Sequence, residues 1–146
     1  MWQRLKHIVH DLRAYRYLSP DLKLRRQVLQ FLSQRPLLSP ADWHSTYGDP
    51  LDLSLVVIKF AHDYLGQYGG IEFGRTLPDD RLEDDLYWTH ICWFDWTLSL
   101  CDDFQTEFGI DLSGELSNLP MTTVGALLHF LEKHWQAPES LPNTKS

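Results

Sequence analysis

The sequence is poor in the features that define several protein classes. Among its 146 residues it has only two cysteines, Cys92 and Cys101, which excludes a disulfide framework and a cysteine-rich metal site and favours a reducing compartment. No apolar run approaches the ~20 residues of a membrane span, and the first six residues, MWQRLK, lack the apolar stretch of a signal peptide. We therefore expect a cytoplasmic protein.

The common catalytic motifs are also missing. No G-x-S-x-G, H-E-x-x-H, P-loop or Rossmann fingerprint occurs in the sequence. His90 is close to Cys92 in sequence, but neither cysteine has a histidine at a diagnostic spacing, and we expect both thiols to be buried. The sequence predicts no cofactor and no contiguous catalytic set. An enzyme remains an alternative because catalytic residues need not be contiguous.

What the chain contains is typical of one globular domain. It is 43% hydrophobic, 13% aromatic and 23% charged, with eight glycines and eight prolines. This composition excludes collagenous, low-complexity and largely disordered proteins. A chain of this length buries roughly two thirds of its unfolded surface around a single core.

Charge is distributed unevenly along the chain. Residues 1–36 hold eight Lys and Arg against two Asp, a formal charge of +6, whereas residues 37–146 hold five against eighteen Asp and Glu, a charge of -13. Such asymmetry indicates either a basic arm for an anionic partner or two parts of one molecule that attract each other, and we favour the second. The first part supplies the predicted basic surface: Arg13, Arg16, Lys23, Arg25 and Arg26.

Apolar residues at spacings of three and four predict helices in the first part of the chain. The first helix runs from Trp2 to Leu18, with one apolar and one basic face. Ser19-Pro20-Asp21 supplies an N-cap, a proline for the first helical position and an acidic first turn, which predicts a second helix. The same pattern at Ser39-Pro40-Ala41-Asp42 predicts a short helix that ends near Gly48.

A dense apolar run from Leu51 to Tyr68 predicts a central, largely buried helix. Asp52 or Ser54 precedes it as a cap, and Gly69-Gly70 follows it. The three glycines and one proline of residues 69–78 predict a loop with at most a short extended stretch.

Two helices are predicted in the last third of the chain. The first spans Trp93 to Phe108 and ends at Gly109 as its C′ residue. Its apolar face is predicted to carry Phe94, Thr97, Leu98, Cys101, Phe104 and Phe108, with Asp95 off that face. Thr122 or Thr123 caps the second helix, which runs to Trp135.

These elements predict an all-α, single-domain bundle of five or six helices over residues 1–135. Within it, a basic helical pair in residues 1–36 lies on or beside an acidic part in residues 37–135. The polar, proline-containing tail from 136 to 146 is expected to be disordered.

Three short motifs in the acidic part suggest a family. They are Leu-Glu-Asp-Asp-Leu at 82–86, Glu-Phe-Gly-Ile at 107–110 and Thr-Thr-Val-Gly at 122–125. With them, the stretch 81–135 resembles the second half of acyl carrier proteins, and more closely the uncharacterised acyl-carrier-like domain family. Counting back from the 107–110 motif, the carrier serine that takes phosphopantetheine corresponds to Phe94. Because Phe94 has no hydroxyl, the resemblance implies a carrier-like fold without a covalent acyl group.

Aromatic residues are concentrated beside this acidic entry. Tyr87, Trp88, Trp93, Phe94 and Trp96 fall within ten residues. One narrow helix face cannot bury all three tryptophans, so we expect at least one at the surface, where Trp and Tyr favour protein contacts. The alternative is that all of them pack inside.

Neither of two further clusters predicts a metal site. The five carboxylates within residues 79–85 lack the EF-hand spacing, and we interpret them as a solvated helix N-terminus. His7 and His10 are three residues apart, but no third ligand accompanies them, so we interpret them as an exposed pair.

The resulting hypothesis is a non-enzymatic interaction module that docks another protein, basic at the contact, through an acidic and aromatic surface. Its predicted contact residues are Trp88, Trp93, Trp96, Asp84, Asp85 and Asp95. One alternative is nucleic-acid or anionic-membrane binding by the basic helices, and another is a small enzyme or apolar-ligand carrier with a pocket among the helices. A homo-oligomer is compatible with each.

Overall fold

A computed structural model describes residues 20–145 of the protein, and their side chains as far as Gln136. The helix predicted for Trp2–Leu18 lies outside the described residues, as do Arg13 and Arg16. Residues 20–145 form seven α-helices and no strand, which confirms the all-α, single-domain prediction. The helices are α1 (Leu22–Leu32), α2 (Pro40–Trp43), α3 (Leu55–Phe60), α4 (Gly66–Gly69), α5 (Trp88–Ile91), α6 (Trp96–Phe108) and α7 (Val124–Lys145).

The N-cap of helix α1 lies two residues later than predicted. Asp21 is the N-cap, and its side chain accepts a hydrogen bond from the Leu24 N–H at 3.0 Å. The Asp21 N–H donates to the His90 carbonyl at 2.8 Å. This bond holds the Asp21 backbone outside the helix, so Pro20 precedes the cap instead of occupying the first helical position.

Helix α2 begins as its sequence predicts. The Ser39 side chain accepts a hydrogen bond from the Asp42 N–H at 3.1 Å, and Pro40 occupies the first helical position. The chain then continues through a π-helical turn to Gly48, the predicted end of the helix. Trp43 is fully buried, and its indole N–H donates to the Thr76 carbonyl at 2.8 Å.

The predicted central helix is confirmed, although a π-helical turn divides it. Helix α3 continues through Ala61–Leu65 into α4, which is followed by Gly70 with a left-handed φ of 67°. Ser54 is the N-cap residue, and its N–H donates to the buried Glu132 carboxylate of α7 at 2.8 Å. The loop predicted after Gly69 contains only the 3-10 turn Phe73–Arg75.

Helix α6 ends at Gly109 as predicted, with a φ of 70°, but it begins at Trp96 and not at Trp93. Its buried residues are Trp96, Leu100, Cys101 and Phe104. Phe94 and Leu98, which were predicted on this face, are 37% and 36% exposed. For Phe94 the prediction failed because the residues before Trp96 form a turn, and extending the helical period back through them assigns this residue to the wrong side.

Helix α7 is capped by Thr123, whose hydroxyl accepts a hydrogen bond from the Ala126 N–H at 3.1 Å. The helix continues to Lys145, past Gln136, where the disordered tail was predicted to begin. Pro138 and Pro142 oppose a helix here because proline lacks a backbone N–H, so the extension depends on the anchored part of α7, from which a helix propagates at less cost than it starts.

One contiguous core of apolar side chains joins elements from α1 to α7. The described helices include none with the length and apolar character needed to cross a membrane.

Candidate protein interface

The acidic and aromatic segment from Asp79 to Trp96, called here the 79–96 segment, consists of consecutive turns, the single turn of α5 and the first residue of α6. Backbone hydrogen bonds hold it to the start of α7: the Leu82 N–H donates to the Thr122 carbonyl and the Val124 N–H to the Asp80 carbonyl, both at 2.9 Å. The side chains of Leu82 and Leu86 are fully buried. The segment is thus a fixed part of the fold.

Most carboxylates of this segment have intramolecular partners. Arg81 pairs with Asp85 at 3.0 Å and with Asp84 at 3.5 Å. The hydrogen bonds donated by Arg81 lower the pKa of the Asp85 carboxyl. Glu83 accepts hydrogen bonds from the Thr89 N–H and hydroxyl at 3.0 and 2.5 Å.

The cluster is therefore not a solvated helix N-terminus. Its residues form turns, and most of their carboxylates bond to groups of the same segment. Among the described residues, no group of three or more His, Cys, Asp and Glu is placed to hold a metal ion. Among the carboxylates of these ion pairs, Asp84 has the most exposed side chain, at 72%.

Two of the three tryptophans predicted as surface contacts are buried in the core. Trp88 is 2% exposed and Trp96 is 6% exposed, and their rings meet edge to face with centroids 5.9 Å apart. Gly69 makes room for this packing, because a Cβ there would lie 3.0 Å from the Trp88 ring. Trp93 is half-buried.

The exposed aromatic residues of the 79–96 segment are Tyr87 and Phe94, at 40% and 37%. Tyr87 has a left-handed φ of 51°, a conformation that bulky L-residues rarely adopt. Its carbonyl accepts hydrogen bonds from the N–H groups of His90 and Ile91 at 2.9 and 3.0 Å. The Tyr87 backbone is therefore fixed by the first turn of α5, three residues beyond Asp84.

Asp95 is buried, contrary to its prediction as a surface carboxylate. It is 6% exposed, and its Oδ2 atom has no hydrogen-bond partner among the described residues. The indole N–H of Trp88 likewise has no partner there. The turn that precedes α6 directs Asp95 inward while its neighbour Phe94 reaches the surface.

One residue of the predicted basic surface, Arg25, bonds within the fold. The Arg25 guanidinium is half-buried and donates two hydrogen bonds to the Ile91 carbonyl, from Nη2 at 2.5 Å and from Nε at 3.2 Å. It lies against Gly70, where a Cβ would approach it to 2.9 Å. Arg25 therefore joins α1 to α5, whereas Lys23 and Arg26 are exposed as predicted.

The thiols are poor candidates for nucleophilic catalysis. Both cysteines are free and buried, as expected. Burial raises the pKa of the Cys92 thiol and that of the Cys101 thiol. Because the thiolate is the reactive form, burial works against reactivity at both positions.

Two tyrosine–carboxylate hydrogen bonds link the central helix to α6. The Tyr64 hydroxyl donates to Glu107 at 2.5 Å and the Tyr68 hydroxyl to Asp103 at 2.6 Å. The bond to Glu107 raises the pKa of Tyr64 to about 12, and burial is the main cause of the raised pKa of Tyr68. The sequence analysis missed these pairs. The two tyrosines are four residues apart on one helix and the two carboxylates are four residues apart on the other, a spacing that places each set on one helix face.

Comparison with protein-family models, with curated proteins and with solved structures finds no match. The resemblance to acyl carrier proteins stays a prediction, and the inferences about function below rest on the geometry of the 79–96 segment.

Proposed function

We propose that the protein is a non-enzymatic interaction module that docks another protein through the exposed residues of the 79–96 segment. The docking surface comprises Asp84, Tyr87 and Phe94. The observation that carries the proposal is Tyr87, an exposed aromatic residue in a left-handed backbone conformation on a fixed support.

The conformation of Tyr87 supports a role for its side chain. A bulky residue in a sparsely populated backbone region costs about 1–3 kcal/mol, and such residues cluster at functional sites. Glycine adopts a φ of this sign without that cost. A tyrosine at this position is explained if its ring contributes to binding, since aromatic rings at interfaces provide large contact areas at low entropic cost.

The charge around Tyr87 supports a partner that is basic at the contact. The Asp84 side chain is 72% exposed, and its ion pair with the 61% exposed Arg81 is long, at 3.5 Å. Exposed carboxylates of this kind mainly speed the approach of a basic partner and add little affinity. The nucleic-acid and membrane alternative is weakened because Arg25 and Arg35 bond within the chain.

Partner capture with matched variants tests the proposal. Immobilised wild-type protein, Tyr87→Ala and Phe31→Ala are incubated with extract of the native cell, and bound proteins are quantified by mass spectrometry. Phe31 is a suitable control because it is 45% exposed on α1, outside the docking surface. We expect a protein that wild type and Phe31→Ala retain equally and that Tyr87→Ala loses at least roughly tenfold, as hot-spot truncations do. Equal retention by all three would contradict the proposal.

A further inference from the structure

Helix α1 presents an exposed row of apolar and basic side chains. Leu22, Arg26 and Leu29 recur at spacings of four and three residues, so they lie along one side of the helix. Leu22 is 64% exposed and Leu29 is 39% exposed, and the side chains of Arg26 and Lys23 are exposed beside them. We call these four residues the α1 stripe. Exposed apolar groups with a charged rim mark contact surfaces on many proteins.

The α1 stripe lies on the flank of α1 that borders α5. Leu22 is three residues before Arg25 and Leu29 is four residues after it, so both lie on the Arg25 side of the helix. Arg25 itself bonds to the carbonyl of Ile91, the last residue of α5. Phe31 is also exposed, but the helical period places it across the helix from Leu22.

This flank of α1 adjoins the proposed docking surface. The Asp21 N–H, at the start of α1, donates to the His90 carbonyl at 2.8 Å, and the His90 N–H donates to the Tyr87 carbonyl at 2.9 Å. A single residue, His90, therefore joins the backbone beside Leu22 to the backbone of Tyr87. The α1 stripe and the docking surface are neighbours in the fold.

The two neighbouring surfaces belong to regions of opposite charge. Residues 22–41 hold four Lys and Arg and no Asp or Glu, whereas residues 79–96 hold six Asp and Glu and one Arg. None of the ion pairs among residues 20–136 includes Lys23 or Arg26. The side chain of Asp84 is 72% exposed. The docking surface fits a partner that is basic at the contact, and the α1 stripe of another copy has that chemistry.

We infer that two copies of this chain associate through these surfaces, an inference that rests on the proposed function. The α1 stripe of each copy packs on the docking surface of the other, where Lys23 and Arg26 meet Asp84 and the leucines meet the rings of Tyr87 and Phe94. Because the complementary surfaces adjoin in each copy, one two-fold axis forms both contacts at once, as in isologous dimers. Self-association then competes with any other partner for the docking surface.

Sedimentation velocity of the 146-residue chain, from micromolar to millimolar concentration, tests the inference. We expect an equilibrium between monomer and dimer that weakens as salt is added, because salt screens the charged contacts. Lys23→Glu/Arg26→Glu should raise the dissociation constant of the dimer roughly tenfold or more, since like charges then meet across the contact. Asp84→Lys should do the same. Lys59→Glu/Lys133→Glu is the matched control, because both lysines are exposed outside the two surfaces, and it should leave the dimer unchanged.

A mixture of the two charge-reversed proteins tests the pairing itself. In their own dimers, the Lys23→Glu/Arg26→Glu protein and the Asp84→Lys protein each place like charges in both contacts. In the mixed dimer both contacts pair opposite charges again. The mixture should therefore dimerise roughly tenfold or more tightly than either protein alone, as coupled partners require. Mixing would not reverse a loss of association caused by damage to the fold.

The inference is overturned if wild type stays monomeric at every concentration, if neither charge reversal weakens the dimer, or if mixing restores no association. Species larger than a dimer would also contradict it, because a reciprocal contact closes after two copies. The proposed function stands in each of these cases if Tyr87→Ala still abolishes capture of a protein from extract. If wild type neither self-associates nor captures a protein, the proposed function and this inference fail together.

Discussion

Arg35 and Asp80 form a two-point ion pair that joins the basic first part of the chain to the acidic remainder. Nη1 lies 2.7 Å from Oδ2 and Nη2 lies 2.9 Å from Oδ1, and Asp80 also accepts a hydrogen bond from the Leu77 N–H at 2.8 Å. Asp80 is 6% exposed and follows the first residue of the 79–96 segment. Among residues 20–136, this ion pair is a contact of the kind that the charge asymmetry predicts.

Breaking this pair should destabilise the fold strongly. Asp80→Asn leaves a half-buried arginine without its counter-charge, and removal of one partner of a buried pair costs about 3 kcal/mol or more. Urea unfolding measures the loss. Arg81→Gln is the comparison, because Arg81 is 61% exposed in its ion pairs and exposed pairs contribute at most about 1 kcal/mol. Similar losses in the two variants would show that Arg35 and Asp80 do not act as a buried pair.

Arg25 and Arg26 are adjacent in sequence but should differ in their effect on stability. Arg25→Ala removes the charge-assisted hydrogen bonds to the Ile91 carbonyl and should lower the free energy of unfolding by about 2 kcal/mol. Arg26 is exposed, and Arg26→Ala should change the free energy of unfolding by less than about 0.5 kcal/mol. Denaturant titrations of both variants check this contrast. Equal effects of the two substitutions on the free energy of unfolding would show that Arg25 is a free surface cation.

The elements that the sequence predicted well have local causes. Ser39-Pro40 starts α2, Gly109 ends α6 in the left-handed conformation, and the apolar run after Ser54 forms the central helix. Caps, turn residues and apolar periodicity act over a few residues, so they can be read from the sequence.

The candidate site was predicted less accurately because burial depends on distant contacts. Trp88 is buried because Gly69, nineteen positions earlier, leaves space for its ring. Arg25 is half-buried because it bonds to the carbonyl of Ile91, 66 positions later in the sequence. Asp95 is buried because α6 begins three residues later than its apolar pattern suggests. Of the predicted contact residues Asp84 is exposed, and the exposed aromatic residues of the same segment are Tyr87 and Phe94.

Tyr87→Gly should separate stability from binding. Glycine relieves the left-handed conformation, so the free energy of unfolding should stay the same or rise by up to about 1 kcal/mol. The same change removes the ring that the proposal requires, and partner binding should fall by about 2 kcal/mol or more. Calorimetry of folding and titration of the captured partner measure the two effects. A clear loss of stability together with unchanged affinity would identify Tyr87 as a structural residue.

The tyrosine–carboxylate pairs predict a loss of stability at alkaline pH. Tyr64 has its pKa raised from 10.0 to about 12, and Tyr68 is shifted in the same direction. Groups with a raised pKa in the folded state stabilise it fully below the unfolded pKa and lose that contribution as pH rises through the folded value. The free energy of unfolding should therefore decline from about pH 10 upward.

Two variants check the cause of this decline. Tyr64→Phe removes one ionising group, and Glu107→Gln keeps an acceptor for the Tyr64 hydroxyl but removes the negative charge. Both should make the decline between pH 10 and 12 shallower than in wild type. Urea unfolding at several pH values measures it. An unchanged slope in both variants would show that the pair between Tyr64 and Glu107 does not control alkaline stability.

Hydrogen–deuterium exchange on the complex with the captured partner tests the docking proposal most directly. Amides of residues 83–94 that exchange in the free protein should become protected on binding, with no comparable change on the outer side of α1. Protection confined to α1 or to other surfaces, with residues 83–94 exchanging as in the free protein, would contradict docking through Asp84, Tyr87 and Phe94.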